Sequence, residues 1–212
     1  MYYLKQITPQ RIFSLWAEHK HVLMIGLFLL QLLVVYGLIQ LFISNGLVPQ
    51  TRWDQLIPLV PAFIIPYVLY YPLLVVPFWL AYKQDSNEDL FAVATTFFVA
   101  ATICNLIFVL YPTTINRPPV PGESGFAEAV RLLHAYDGSQ ALLPSGHVTY
   151  SLLANLVTWH VNKTLAYILL PVTLLIMPAT VLIKQHYVLD IFAGIVVASG
   201  VYWFVFRRAF RY

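Results

Sequence analysis

Charge is what this 212-residue chain has least of: 10% of its residues are Asp, Glu, Lys or Arg, against 60% hydrophobic. That balance excludes an ordinary soluble domain, where about a quarter of residues are charged. Cysteine is nearly absent too. Cys104 stands alone in an apolar run, so no internal disulfide and no cysteine-based metal cluster can form. The 12 basic and 9 acidic residues leave a net charge of +3. In so apolar a chain this surplus reports orientation and lipid contact rather than nucleic-acid binding. The first 20 residues lack a continuous apolar segment and a small-residue cleavage site, so no removable signal peptide is expected and the first span serves as insertion signal. Internal repeats and low-complexity tracts are also missing.

What is present in quantity is long apolar sequence. Six stretches, at about 22–43, 62–82, 90–110, 147–162, 164–183 and 187–206, approach the length of about 20 residues that a bilayer-crossing helix requires. With their connections they use nearly the whole chain. The expectation is an all-α integral membrane protein, one domain over 1–212, folded as a six-transmembrane helix bundle after a cytoplasmic segment 1–21. The fourth stretch is short. The second is punctuated by Pro58, Pro61, Pro66, Pro72 and Pro77, and each interior proline removes a backbone donor and kinks a helix.

An even number of spans puts both termini on one side. Lys5, Arg11, Lys20, Lys83, Lys163, Arg207, Arg208 and Arg211 fall on that side, and Arg52, Arg117, Arg131 and Lys184 on the other. The positive-inside tendency makes the termini cytoplasmic and the loops 44–61, 111–146 and 184–186 extracytoplasmic. Within the longest loop, GFAEAVRLLHAYDG spaces apolar residues as a short interfacial helix does.

Three polar clusters share that outer face: NRPP with Arg117, PSGH with Ser145 and His147, and KQHYVLD with Lys184, His186 and Asp190. Each alone has a plain explanation, since Arg117 and Lys184 can anchor at headgroup level and a lone histidine is usually a satisfied polar group. Asp190 inside a span costs several kcal/mol unless paired. His186 and Asp190, four residues apart, share one helix face, where a carboxylate can orient an imidazole as nucleophile or general base. A zinc site is disfavoured because two cations stand beside the candidate ligands. Cations instead fit an anion, and in a headgroup region that anion is phosphate. A helix starting at Ser145 to His147 presents free N–H groups to it, with Gly146 permitting close approach. His134 and Arg131 either shape access to the site or form a solvated face, and His160 is structural.

In these residues the chain resembles the type 2 phosphatidate phosphatases, membrane lipid phosphate phosphatases whose three motifs run K-x6-R-P, P-S-G-H and S-R-x5-H-x3-D. NRPP supplies Arg117 and Pro118, PSGH is complete at Pro144 to His147, and HYVLD supplies His186 and Asp190. Two cations of the pattern are replaced, by Leu110 and by Ala179–Thr180 in place of Ser-Arg. Lys184 is expected to compensate if residues 180–186 stay helical. The pattern is closest to the branch of inositol phosphorylceramide and sphingomyelin synthases, which move a phospho-headgroup between lipids.

The resemblance implies a lipid phosphatase acting on a lipid phosphate or pyrophosphate through a phosphohistidine. His186 would attack, Asp190 orient and His147 protonate the departing oxygen, while Arg117, Ser145, Gly146 and Lys184 hold the phosphate, with no metal and no cofactor. A headgroup transferase is the alternative, and a non-enzymatic transporter the competing class. The expected setting is a plasma or inner membrane, the partners are the bilayer and a lipid phosphate, and the oligomeric state and the particular lipid are left open.

Overall fold

The computed structural model describes residues 9–42 and 46–209, with side chains from position 18 onward. Lys5, Arg211 and the side chain of Arg11, used above for orientation, lie outside the described residues. Helices dominate. Among the described residues β-structure is confined to two isolated bridges, Leu47 with Thr113 and Thr114 with Gln140.

Helix α1 runs Pro9–Leu30, passes through a π-helical turn at Gln31–Val35 and continues as Tyr36–Phe42. A short α2, Arg52–Leu56, follows. Helix α3 is broken as its prolines require. A 3-10 turn at Pro61–Phe63 leads into Ile64–Val68, and the helix resumes at Tyr70–Lys83. Pro61 suits a helix start, and Pro72 withholds the donor that the Val68 carbonyl would otherwise receive. Helix α4, Asn87–Leu110, is capped by Ser86, whose Oγ accepts from the Asp89 N–H at 3.1 Å. Ala92, Ala94, Ala100 and Ala101 are buried on it and let its neighbours approach closely.

The expected interfacial helix is α5, Gly125–Tyr136, with Ala127 and Val130 turned inward. Helix α6 is Gly146–Val161, α7 is Lys163–Leu182, and α8 is Val188–Val201 extended through a π-helical turn, Tyr202–Phe206, to Arg207–Ala209. Asn162 caps α7 by accepting from Leu165 N–H at 3.0 Å.

Five helical stretches among the described residues are long and apolar enough to cross a membrane: Glu18–Phe42, Pro61–Lys83, Asn87–Leu110, Lys163–Leu182 and Val188–Ala209. The fourth stretch anticipated from the sequence, α6, reaches only 16 residues. It packs between α3, α4, α7 and α8, and buries polar residues there: Thr149, Ser151, Asn155 and Thr158 are each at most 4% exposed. Asn155 donates to the Ala166 carbonyl at 3.1 Å, joining α6 to α7.

Two glycines fix close approaches. A Cβ at Gly194 of α8 would stand 3.0 Å from the Ser145 carbonyl oxygen and 3.1 Å from Val148 Cβ, so α8 presses directly on the start of α6. A Cβ at Gly46 would meet the Thr113 carbonyl carbon at 2.7 Å, where Leu47 N–H donates to the Pro112 carbonyl and its own carbonyl accepts from Thr114. The chain on both sides of α5 is thereby gathered over the α6 N-terminus, with Thr113 Oγ1 accepting from Leu142 and Leu143 N–H, both at 3.1 Å.

Candidate active site

The start of α6 forms one wall. Ser145 is its N-cap, fully buried, with Oγ accepting from Val148 N–H. Capping at the third position and the Ser145 carbonyl's bond to Thr149 N–H leave the first two helix donors, on Gly146 and His147, as the free ones. Ser145 N–H in turn donates to the Asp190 carbonyl at 3.0 Å, which locks the α6 and α8 N-termini together.

The opposite wall is the turn from α7 to α8. The helix stops at Leu182, and Lys184 adopts a left-handed conformation with φ 58°. The N–H groups of Gln185 and His186 then both donate to the Thr180 carbonyl, at 2.9 and 3.1 Å. The expectation that 180–186 stays helical is therefore corrected, and with it the placement of Lys184. Its ammonium donates to the Ile57 carbonyl at 2.6 Å and the Asp54 carbonyl at 3.3 Å, closing the C-terminal end of α2. Lys184 borders a second cavity of about 460 Å³ with Asp54, Asn116 and Tyr187.

His186 and Asp190 are brought together, but not on the shared helix face expected from their spacing: His186 lies in the turn before α8, and Asp190 reaches back to it from the first turn of the helix. Asp190, buried in the first turn of α8, accepts from Tyr187 N–H at 2.9 Å and faces His186 Nδ1 at 3.2 Å through the same Oδ2. A carboxylate there favours the proton on Nδ1 and leaves Nε2 with its lone pair free. His147 lies across from it, with the two imidazole centroids 6.2 Å apart. Tyr67 stacks on His147 at 4.2 Å and Tyr70 packs against it at 4.4 Å. The broken helix α3 delivers both tyrosines.

Both histidines line a cavity of about 400 Å³, along with Gly146, Gln185, Asp137 and a set of tyrosines that includes Tyr36 and Tyr70. Burial pushes the Asp137 carboxyl above the usual carboxylate range, with Arg117 and His186 pulling the other way. His186 borders the second cavity, the one beside Lys184, as well.

Arg117 is held by protein oxygens. One guanidinium nitrogen donates to the His134 and Asp137 carbonyls at 3.0 and 2.8 Å; the other donates to the Gly138 carbonyl at 2.8 Å and to Gln185 Oε1. Arg117 thus closes the end of α5 and ties it to the residue before His186. His134 donates from Nε2 to the Ile183 carbonyl at 2.8 Å, and Arg131 pairs with Glu128 and the Gly122 carbonyl. Both brace the loop. His160 sits edge-on against Phe206 at 5.3 Å, away from the cavity.

Buried polar atoms without a partner are uncommon in folded proteins, and each asks for an explanation. Among the described residues there are eight such side-chain atoms, and four belong to this one site: Arg117 Nε, His147 Nε2, Gln185 Nε2 and Asp190 Oδ1. Nowhere else do they concentrate in this way. The same described residues hold no group of three or more His, Cys, Asp or Glu side chains that could bind a metal ion.

Three contributors were not picked out from the sequence. Asp54 accepts from Thr51 and, through Oδ1, from Val188 N–H at 2.8 Å, linking α2 to the start of α8. Asp137 stands before a glycine in a turn, which was the only local signal. Gln185 is marked solely by its place next to His186.

Helices of membrane length wrapped around a histidine–carboxylate pair and a facing histidine define a membrane protein with a site suited to phosphoryl chemistry. A protein-family model described as the PAP2 superfamily matches residues 57–204, and the chain belongs to that superfamily. The matched range contains Arg117, Ser145, Gly146, His147, Lys184, Gln185, His186 and Asp190, while Tyr36 and Asp54 precede it. No curated protein and no solved structure shows significant similarity to the chain.

Proposed function

We propose that this protein is a multi-pass membrane enzyme that cleaves the phosphoester or phosphoanhydride bond of a lipid phosphate through a phosphohistidine on His186. In this reading α6 crosses the bilayer as the fourth of six spans, shielded by its neighbours, and the termini are cytoplasmic with the cavity opening toward the outer side. The supporting observation is the His186–Asp190 pair set opposite His147 across a cavity where unpartnered polar atoms gather.

The steps follow from that arrangement. A phosphorus about 3 Å from His186 Nε2, with its departing oxygen about 3 Å from His147, fills the gap between the rings. His186 Nε2 forms the N–P bond as the bond from phosphorus to the lipid oxygen breaks, and His147 gives that oxygen its proton. Asp190 stabilises the imidazolium character growing on His186. The N–H groups of Gly146 and His147 and the unbonded Nε–H of Arg117 donate to the phosphoryl oxygens, with the helix N-terminus adding its positive dipole end. Water then attacks phosphorus while His147 takes its proton, and phosphate leaves with His186 restored. Ser145 supports the cradle as cap.

One observation favours a second reading, headgroup transfer to a lipid alcohol. Lys184 is tied to loop carbonyls and the terminal nitrogens of Arg117 are committed to protein oxygens. So few free cations suit the single charge of a phosphodiester better than the double charge of a monoester. In that case an alcohol replaces water in the second step.

A panel of lipid monophosphates, pyrophosphates and phosphodiesters, presented to purified protein with and without a diglyceride acceptor, separates the readings. Free phosphate without acceptor indicates the phosphatase; a new phospholipid that requires the acceptor indicates the transferase. Vanadate should inhibit and chelators should not. His186→Ala and His147→Ala should each lower turnover by at least about 10²-fold, and activity surviving the double substitution would remove the catalytic assignment.

A further inference from the structure

We infer that Gln185 is a direct ligand of the substrate phosphoryl group, supplying an uncharged donor in the place of a missing cation. The inference rests on the reading of the cavity as a phosphoryl site. Gln185 is 2% exposed and lines the cavity with both histidines. Its orientation is set by chemistry. A guanidinium can only donate, so the amide atom facing Arg117 must be the oxygen, and the NH2 group must point the other way. That Nε2 is buried and has no partner in the protein. A side chain bearing two donors is thus ordered from both ends, by Arg117 at its oxygen and by the Thr180 carbonyl at its own backbone N–H, while its donors are left for something that is not protein.

The chemical class that satisfies it is an oxyanion. Next to His186 Nε2, the atoms that need such donors are the phosphoryl oxygens, whose charge grows as the N–P bond forms. The family pattern places Ser-Arg at Ala179 and Thr180, neither of which can donate a cationic hydrogen bond. Arg117, the remaining arginine of the pattern, reaches the site with only its Nε unbonded. Gln185 brings the donor without the charge, and Arg117 polarises it through the shared hydrogen bond.

The competing explanation is that Gln185 serves only as an acceptor that positions Arg117. Gln185→Glu separates the two, because it keeps an oxygen for Arg117 and removes the NH2 donors. Gln185→Met, of similar length, removes both functions and covers the case in which the glutamate variant does not fold. Two readouts are needed: turnover, and the stabilisation of detergent-solubilised protein against heat by vanadate, which mimics the phosphoryl group without requiring a turned-over lipid. For a ligand, both variants should lose about 10²-fold in kcat/KM, the scale of one oxyanion donor, and should lose the vanadate-induced shift while staying folded. If a folded Glu variant keeps wild-type kcat/KM and the full vanadate shift, Gln185 only positions Arg117 and the proposal is overturned. A folded Met variant that keeps both overturns it as well. If the wild-type protein itself shows neither turnover nor a vanadate shift, the functional reading fails first and this inference falls with it.

Discussion

Helices α1 and α6 are opposites. In the membrane-length part of α1, Glu18–Phe42, only 11% of the most apolar window is buried inside the protein, and its side chains meet lipid. Helix α6 is too short and too polar to stand out as a span, yet nine of its 16 residues are buried. Hydropathy does not follow lipid exposure across the bundle, since α4 is as apolar as α7 although half of its most apolar window is buried, and the helix that carries His147 is set apart by its 16-residue length and its buried polar side chains. Family similarity follows the same division: it begins at residue 57, beyond α1. Helix α1 nevertheless packs one face against α4, burying Phe28 and Ile39. Its π-helical turn presents Gln31 to the cavity, where Gln31 accepts from Asn105 at 2.7 Å and donates to Thr102 at 2.9 Å.

The contrast can be broken by substitutions that touch each side. Asp190→Asn, in the α8 turn locked to α6, should lower turnover by roughly 10²–10⁴-fold with little change in folding, because the amide cannot hold the proton on His186 Nδ1 in the same way. A lipid-phosphate assay alongside thermal unfolding checks both halves of that statement. Gly194→Val forces atoms into the α6–α8 contact and should cost about 1–3 kcal/mol of stability, read as a lowered unfolding midpoint in detergent. Leu41→Ala, on an α1 residue 78% exposed, should change stability by no more than about 0.5 kcal/mol and leave turnover intact. Should the last substitution prove as damaging as the second, the exposed face of α1 would have to be counted as packed along with the face that carries Phe28 and Ile39.

Much of the site was readable before any coordinates, for identifiable reasons. The pairing of His186 with Asp190 was readable, though its geometry was not: the two do not share a helix face, and Asp190 in the first turn of α8 reaches back to Tyr187 N–H and to His186 in the preceding turn. The PSGH stretch carries its own cap and its own helix start. The layout of apolar stretches was readable because lipid-facing surface is encoded residue by residue.

What escaped depends on contacts between distant segments. Lys184 adopts a left-handed turn with no glycine to announce it, so its side chain leaves the site that its spacing suggested. Arg117 binds the end of a helix that begins eight residues later, and no local pattern shows that its donors are taken by carbonyls. Gln185 has meaning only once Arg117 has been placed against it. Asp54 joins two helix starts separated by more than a hundred residues in the chain.

The hydrogen bond from Ser145 N–H to the Asp190 carbonyl has a consequence for the protein's life in different membranes. Spans answer a thicker or thinner bilayer by tilting and sliding. Here the two helix starts that carry the reacting groups are joined backbone to backbone and pressed together at Gly194, so they tilt as one piece. The interval between His147 and His186 is then set by the peptide chain rather than by the lipid, so on the proposed reading a thicker or thinner bilayer would leave the spacing of the two histidines unchanged.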